Sequence, residues 1–184
     1  MKTQYRAAAV LVVLACVPCF CLAAGKDYQS KVALGGRMYG KNTAFSELLH
    51  GEGDISYGAA YEYHERFAYW QVALQYSPDP TKVVENEDGT ELQADSIYTP
   101  EINLIAKDEG RIWRGGIGIL RSYQTGEGLD DWTDFYWQFI FGIQIPVARV
   151  DAGLYANYVF KDWGKFYDFD ADAIDFSLWL SLSF

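Results

Sequence analysis

Eight segments alternate apolar and polar residues with a period of two, and long connections alternate with short ones between them. Nothing after residue 24 approaches the roughly 18 uninterrupted apolar residues of a membrane helix. Together these observations predict an all-β chain: a closed antiparallel up-and-down transmembrane β-barrel of eight strands.

The clearest segment is FYWQFIFGIQIPVA, 135–148. Phe135, Trp137, Phe139, Phe141, Ile143 and Ile145 share one parity, and Tyr136, Gln138, Ile140, Gly142 and Gln144 share the other. Because successive side chains of a strand point to opposite faces, one face is very apolar and the other mixed. At the end of the sequence Phe176, Leu178, Leu180, Leu182 and Phe184 oppose Asp175, Ser177, Trp179, Ser181 and Ser183. The remaining strands follow from the same pattern at 31–39, 55–64, 67–77, 97–106, 111–123 and 150–160. Their mixed faces carry Lys31, Arg37 and Tyr39; Glu62 and His64; Gln71 and Gln75; Glu101 and Asn103; Arg114, Gly116 and Gly118; and Asp151, Tyr155 and Asn157.

Long connections are expected near 41–54, 78–95, 125–133 and 161–173, and short ones near 65–66, 107–110 and 146–149. The long ones hold the turn and charge signals, as in PDPTKVVENEDGTELQAD and KDWGKFYDFDAD. Short turns at one end and longer loops at the other are the alternation of a barrel that spans an outer membrane. The apolar face then meets lipid, and Tyr57, Tyr63, Trp70, Trp113, Trp137, Tyr158 and Phe184, near strand ends, suit two interfacial girdles.

Residues 1–24 read as a secretory signal peptide and 25–184 as the barrel domain. Lys2 and Arg6 form a positive start, residues 7–22 an apolar run, and Ala23 and Ala24 a small-residue cleavage site. Val13-Leu14-Ala15-Cys16 offers the alternative of lipidation at Cys16. The leader holds two of the 15 basic residues, none of the 25 acidic ones and all three cysteines. The mature chain therefore stands at a net charge of −12 and has no thiol for a disulfide, a metal or a covalent intermediate. That charge excludes nucleic acid as a partner, since phosphate binding needs a basic patch.

With these features the sequence resembles the small eight-stranded outer-membrane barrel proteins of Gram-negative bacteria, with no motif that selects a subfamily. The resemblance implies the cell outer membrane as location, and outer-membrane lipid and lipopolysaccharide as surroundings. It also implies that Phe176, Leu178, Leu180, Leu182 and Phe184 form the signal read by the barrel assembly machinery. A monomer is expected.

An eight-stranded barrel is only wide enough for its own side chains. Arg37, Glu62, Glu101, Arg114 and Asp151, all on the inward face, are thus expected to pair with one another, Arg114 lying near Glu62 and Asp151, because an isolated buried charge is costly. Gly116 and Gly118 are expected to make room for the rings of Tyr155 and Trp179.

Signals for chemistry are sparse. Ser46 and His50 share a long loop and are the candidate catalytic residues of a lipid A-modifying or other barrel enzyme. Asp168, Asp170 and Asp172 alternate like the start of a calcium loop, but Ala173 and Trp179 stand at the sixth and twelfth positions, which excludes an EF-hand. No cofactor is expected. Three functions remain, in order: a non-enzymatic barrel displaying acidic loops for membrane integrity, adhesion or partner binding; a barrel enzyme; and a narrow porin-like channel or small-solute binder.

Overall fold

The computed structural model describes residues 29–41, 48–85, 89, 91–107, 110–163 and 170–184. The segment 1–24 read as a leader, with Cys16, and the candidates Ser46 and Asp168, lie outside the described residues. The strands are β1 (Gln29–Met38), β2 (Ile55–His64), β3 (Ala68–Pro78), β4 (Val83–Glu85), β5 (Glu91–Gln93), β6 (Ser96–Lys107), β7 (Trp113–Leu120), β8 (Tyr123–Gly126), β9 (Leu129–Trp132), β10 (Tyr136–Val147), β11 (Val150–Phe160) and β12 (Ile174–Ser183). Eight of them, β1-β2-β3-β6-β7-β10-β11-β12, form an antiparallel ring. It closes where β12 pairs with β1, Lys31 opposite Ser183 and Met38 opposite Phe176. Closure leaves no sheet edge, so the backbone bonds within the ladder are satisfied internally.

The stretch read as one strand over 111–123 is divided into β7 and β8, which both pair with β6 in the same register. Pro100 of β6 sits opposite the break and has no N–H to donate; it accepts from Arg121 N at 3.3 Å instead. Beyond the break, β8 and β9 form a hairpin that rises from the long-loop end. Leu120 faces Tyr136 and Tyr123 faces Trp132, so the β9–β10 side carries an extra residue and bulges there. A second hairpin, β4–β5, lies within the connection expected as an irregular loop over 78–95. Asp54 ties the first two long loops together. Its carboxylate accepts from Gly51 N at 2.6 Å, Thr81 N at 2.9 Å and Thr81 Oγ1 at 2.8 Å.

The two faces separate as period-two alternation requires. Leu34, Phe141 and Leu178 on the outside are 68%, 59% and 52% exposed, whereas the inward Arg37, Gln138 and Trp179 are nearly inaccessible. Contiguous apolar surface on this scale is unfavourable in water and matches a hydrocarbon environment. Aromatic rings gather near both rims: Tyr76 beside Tyr98 (5.0 Å) and Trp137 beside Trp163 (5.3 Å) at the long-loop end, and Trp113 on Phe141 (5.5 Å) at the other. Phe160 is an exception to the simple outward reading. It points out of the barrel, but Trp163 covers it edge-on at 5.0 Å and Phe139 packs against it at 4.9 Å.

The glycines that accommodate the large inward rings are not Gly116 and Gly118. Trp179 lies over Gly35, its partner across β1–β12, and over Gly58, where an added Cβ would meet the indole at 2.8 Å. Tyr155 lies over Gly142 and Gly153. Gly118 instead admits the amide of Asn103, and Gly116 lies against Ile105. Gly35 and Gly142 are the cross-strand partners of Trp179 and Tyr155, a match set by register, whereas Gly153 lies two residues from Tyr155 on the same strand.

Candidate functional site: the barrel lumen and its outer mouth

The inward positions of β1, β2, β3, β6, β10 and β12 converge on one polar network. Arg37, 3% exposed, places Nη2 3.1 Å from Glu101 Oε1 and donates to Gln138 Oε1 at 2.9 Å, while its Nη1 lies 3.8 Å from Asp175. Glu101 accepts further bonds from Gln75 Nε2 at 2.7 Å and Gln138 Nε2 at 3.0 Å. Charge-assisted bonds of this kind are about twice as strong as neutral ones, and here they satisfy a carboxylate that water does not reach.

From this pair a hydrogen-bonded chain runs along the lumen. Asn103 Nδ2 reaches Glu101 Oε2 at 3.4 Å and Gln71 Oε1 at 3.0 Å, and Gln71 Nε2 donates to Glu62 Oε1 at 3.1 Å. Glu62 also accepts from Ser181 Oγ at 3.0 Å and bonds His64 Nε2 at 2.8 Å. His64 Nδ1 lies 3.3 Å from Lys107 Nζ, which fits the tautomer carrying its hydrogen on Nε2. Beside this chain Tyr69 and Tyr155 meet hydroxyl to hydroxyl at 3.1 Å, and Trp179 fills the space between opposite walls.

Of the five charged residues expected to pair, the structure brings Arg37 and Glu101 together. It does not bring Arg114 to Glu62 or Asp151. Arg114 donates through Nε to Gln144 Oε1 at 2.9 Å and through Nη1 to the carbonyls of Arg111 and Trp113. Asp151 is taken by Lys31, and Glu62 by His64, Gln71 and Ser181. Among the residues that charge-pairing logic missed are Lys31, which takes Asp151, and Gln71 and Gln138 of the central network. Each stands on an inward parity, so the signal was present in the alternation, but their partners depend on inter-strand register.

The long-loop end of the lumen is covered by side chains. Leu48, Leu120, Tyr136 and Val159 form an apolar layer, and the ring of His50 stacks on Tyr39 at 3.7 Å and 6°. His50 is therefore buried, not presented to solvent as a loop residue. Burial drives its pKa down to about 3, and the charges of Arg37 and Lys82 push the same way. It is neutral at pH 7. Neither ring nitrogen has a protein hydrogen-bond partner, nor does Arg37 Nε. These groups border a small cavity of about 20 Å³, lined by Thr99, Ser122 and Asp175 but mostly apolar in its walls, where Leu48, Leu120 and Val159 stand. That is the space of roughly one water molecule.

Asp170 caps the short 3-10 turn at Ala171–Ala173, accepting from Asp172 N at 3.0 Å. Its carboxylate is thus engaged in local backbone structure, and Asp172 is exposed. Among the described residues no three His, Cys, Asp or Glu side chains are grouped to hold a metal ion.

No family model and no curated protein matches the sequence. Among solved structures, the crystal structure of Neisserial surface protein A (NspA) is similar at 14% identity, covering 85% of this chain and 96% of that one, with a TM-score of 0.46.

Proposed function

We propose that this chain is a non-enzymatic outer-membrane barrel of a Gram-negative bacterium that acts through its acidic outer loops, in membrane integrity, adhesion or partner binding. The observation that carries the reading is where the charge lies. The four connections at the long-loop end, 39–54, 79–95, 121–135 and 161–173, hold 17 acidic and 5 basic residues. That excess equals the net charge of the whole mature chain, so the strands and short turns together balance. A surface of this kind repels anions and attracts cations over a Debye length. The lumen, closed by bonded side chains along its length, leaves the loops as the part of the molecule that meets other molecules. The apolar residues of β12, Phe176 to Leu182, and Phe184 beyond it serve as the assembly signal in this reading, and removing Phe184 lowers the amount of assembled barrel.

Because the mature chain has no cysteine, single-cysteine labelling tests the reading directly. A membrane-impermeant maleimide added to intact cells labels Glu127→Cys, in the β8–β9 turn, and not Arg66→Cys, in the short turn after β2. The reverse pattern, or equal labelling of both, overturns the proposed placement of the loops.

A further inference from the structure

Three outer loops enclose a groove that the closed lumen does not explain. Leu49 of the first loop, Val84 and Leu92 of the β4–β5 hairpin and Leu129 of β9 supply apolar walls, and Asp131 and Trp132 of β9 stand at its rim. Its floor is a packed cluster of Leu49, Ala94 and Ile97, against which Val84 and Leu129 rest. The groove holds about 360 Å³ of free space, within the range of roughly 300–1,000 Å³ found for small-molecule sites. Its walls are held in place from below, by Asp54 joining the first and second loops and by Lys82 Nζ donating to Leu48 O at 2.9 Å.

We infer that this groove binds a small amphiphilic cation, its apolar body among the four aliphatic side chains and its ammonium head at Asp131. Charge selects the head group. Asp131 is exposed, Asp130 and Asp134 stand beside it, and the surrounding loops carry the 17 acidic residues against 5 basic ones. Cations of the adjoining loops are already engaged: Arg121 lies 5.3 Å over the Trp132 ring with its Nε on Thr133 O, and Lys161 pairs with Asp134 at 2.6 Å. An anionic amphiphile meets the same apolar walls but an unfavourable field. Size selects the body, since a groove of about 360 Å³ admits a short chain or single ring system. The proposal rests on the loops facing outward only for its biological setting; the binding itself does not depend on orientation.

The test uses the full mature barrel in phosphatidylcholine nanodiscs, titrated by calorimetry with octyltrimethylammonium below its micellar concentration, with empty nanodiscs as the blank. Octyl sulfate and octyl glucoside, of equal chain length, report on the head group. The expected result is one saturable site for the cation. Asp131→Asn weakens it about fivefold, the loss of one partly exposed ion pair. Leu92→Trp, which fills the groove, removes binding, and Glu52→Gln, an equal charge change elsewhere on the loops, leaves it intact. Octyl sulfate binding as tightly as the cation overturns the proposal. So do equal effects of Asp131→Asn and Glu52→Gln, or binding no greater than to empty nanodiscs. Failure here leaves the labelling result untouched, and failure of the labelling leaves this titration interpretable.

Discussion

Two inward-facing arginines sit at opposite ends of the barrel and are treated differently by it. Arg37, at the long-loop end, is buried and bonded to Glu101 and Gln138, with Asp175 nearby. Arg114, at the short-turn end, is half-buried and bonded to Gln144 and two backbone carbonyls. The contrast shows that facing inward does not make a charge structurally important. What matters is whether water can replace its partner, because breaking a fully buried pair strands a carboxylate, whereas a hydrated end re-solvates.

The largest effect should follow from Arg37→Ala, which leaves Glu101 buried without its cation. Loss of one partner of a buried pair is expected to lower stability by about 3–5 kcal/mol, read as a fall in the urea midpoint in detergent or bilayer. Next comes Gly58→Ala. The new methyl group meets the Trp179 ring at 2.8 Å and Leu74 O at 3.3 Å, and overpacking of this kind costs roughly 1–3 kcal/mol. Arg114→Ala should cost less, about 1 kcal/mol, as its bonds are neutral and its surroundings wetter. Lys161→Ala removes an exposed partner of Asp134 and should leave the midpoint unchanged. If Arg114→Ala proves as damaging as Arg37→Ala, the difference between the two ends is not one of hydration.

The mouth sharpens the same comparison through pH. His50 has a folded pKa near 3 against an ordinary value of 6.5. Between those values the unfolded or opened loop binds the proton and the packed ring does not. Stability from this group is therefore full above pH 6.5 and declines as pH falls, by up to about 1.4 kcal/mol per pH unit. Amide exchange at Leu48–Gly51 should accelerate from pH 6.5 to pH 4 beyond its intrinsic pH dependence. His50→Phe, which retains the stack on Tyr39, should remove that excess. An unchanged excess in the variant assigns the acid sensitivity to the loop carboxylates instead.

Alternation made the ring legible before any coordinates. Segments read at 55–64 and 150–160 coincide with β2 and β11, and that read at 31–39 lies within two residues of β1 at either end. Period two depends only on local geometry, and lipid outside with a packed lumen inside makes it unusually strict. What the sequence did not disclose was pairing. The Gln144 partner of Arg114, the glycines opposite Trp179 and Tyr155 (Gly35 and Gly142), and the break opposite Pro100 all depend on which residue of one strand lies beside which of the next. The β4–β5 hairpin was hidden for another reason: three-residue strands are too short for a period to register. The burial of His50 was hidden because no alternation marks a loop that folds back over a barrel mouth.

Bonded and packed side chains fill the lumen from Lys107 at one end to Leu48 and His50 at the other. Single-channel recording of the mature barrel in a planar bilayer measures that closure directly. The predicted trace shows no stable open level for the unaltered protein, while Arg37→Ala, with its pair to Glu101 removed, shows intermittent openings. A steady ohmic conductance from the unaltered protein would contradict the closed lumen, and with it the assignment of function to the loops.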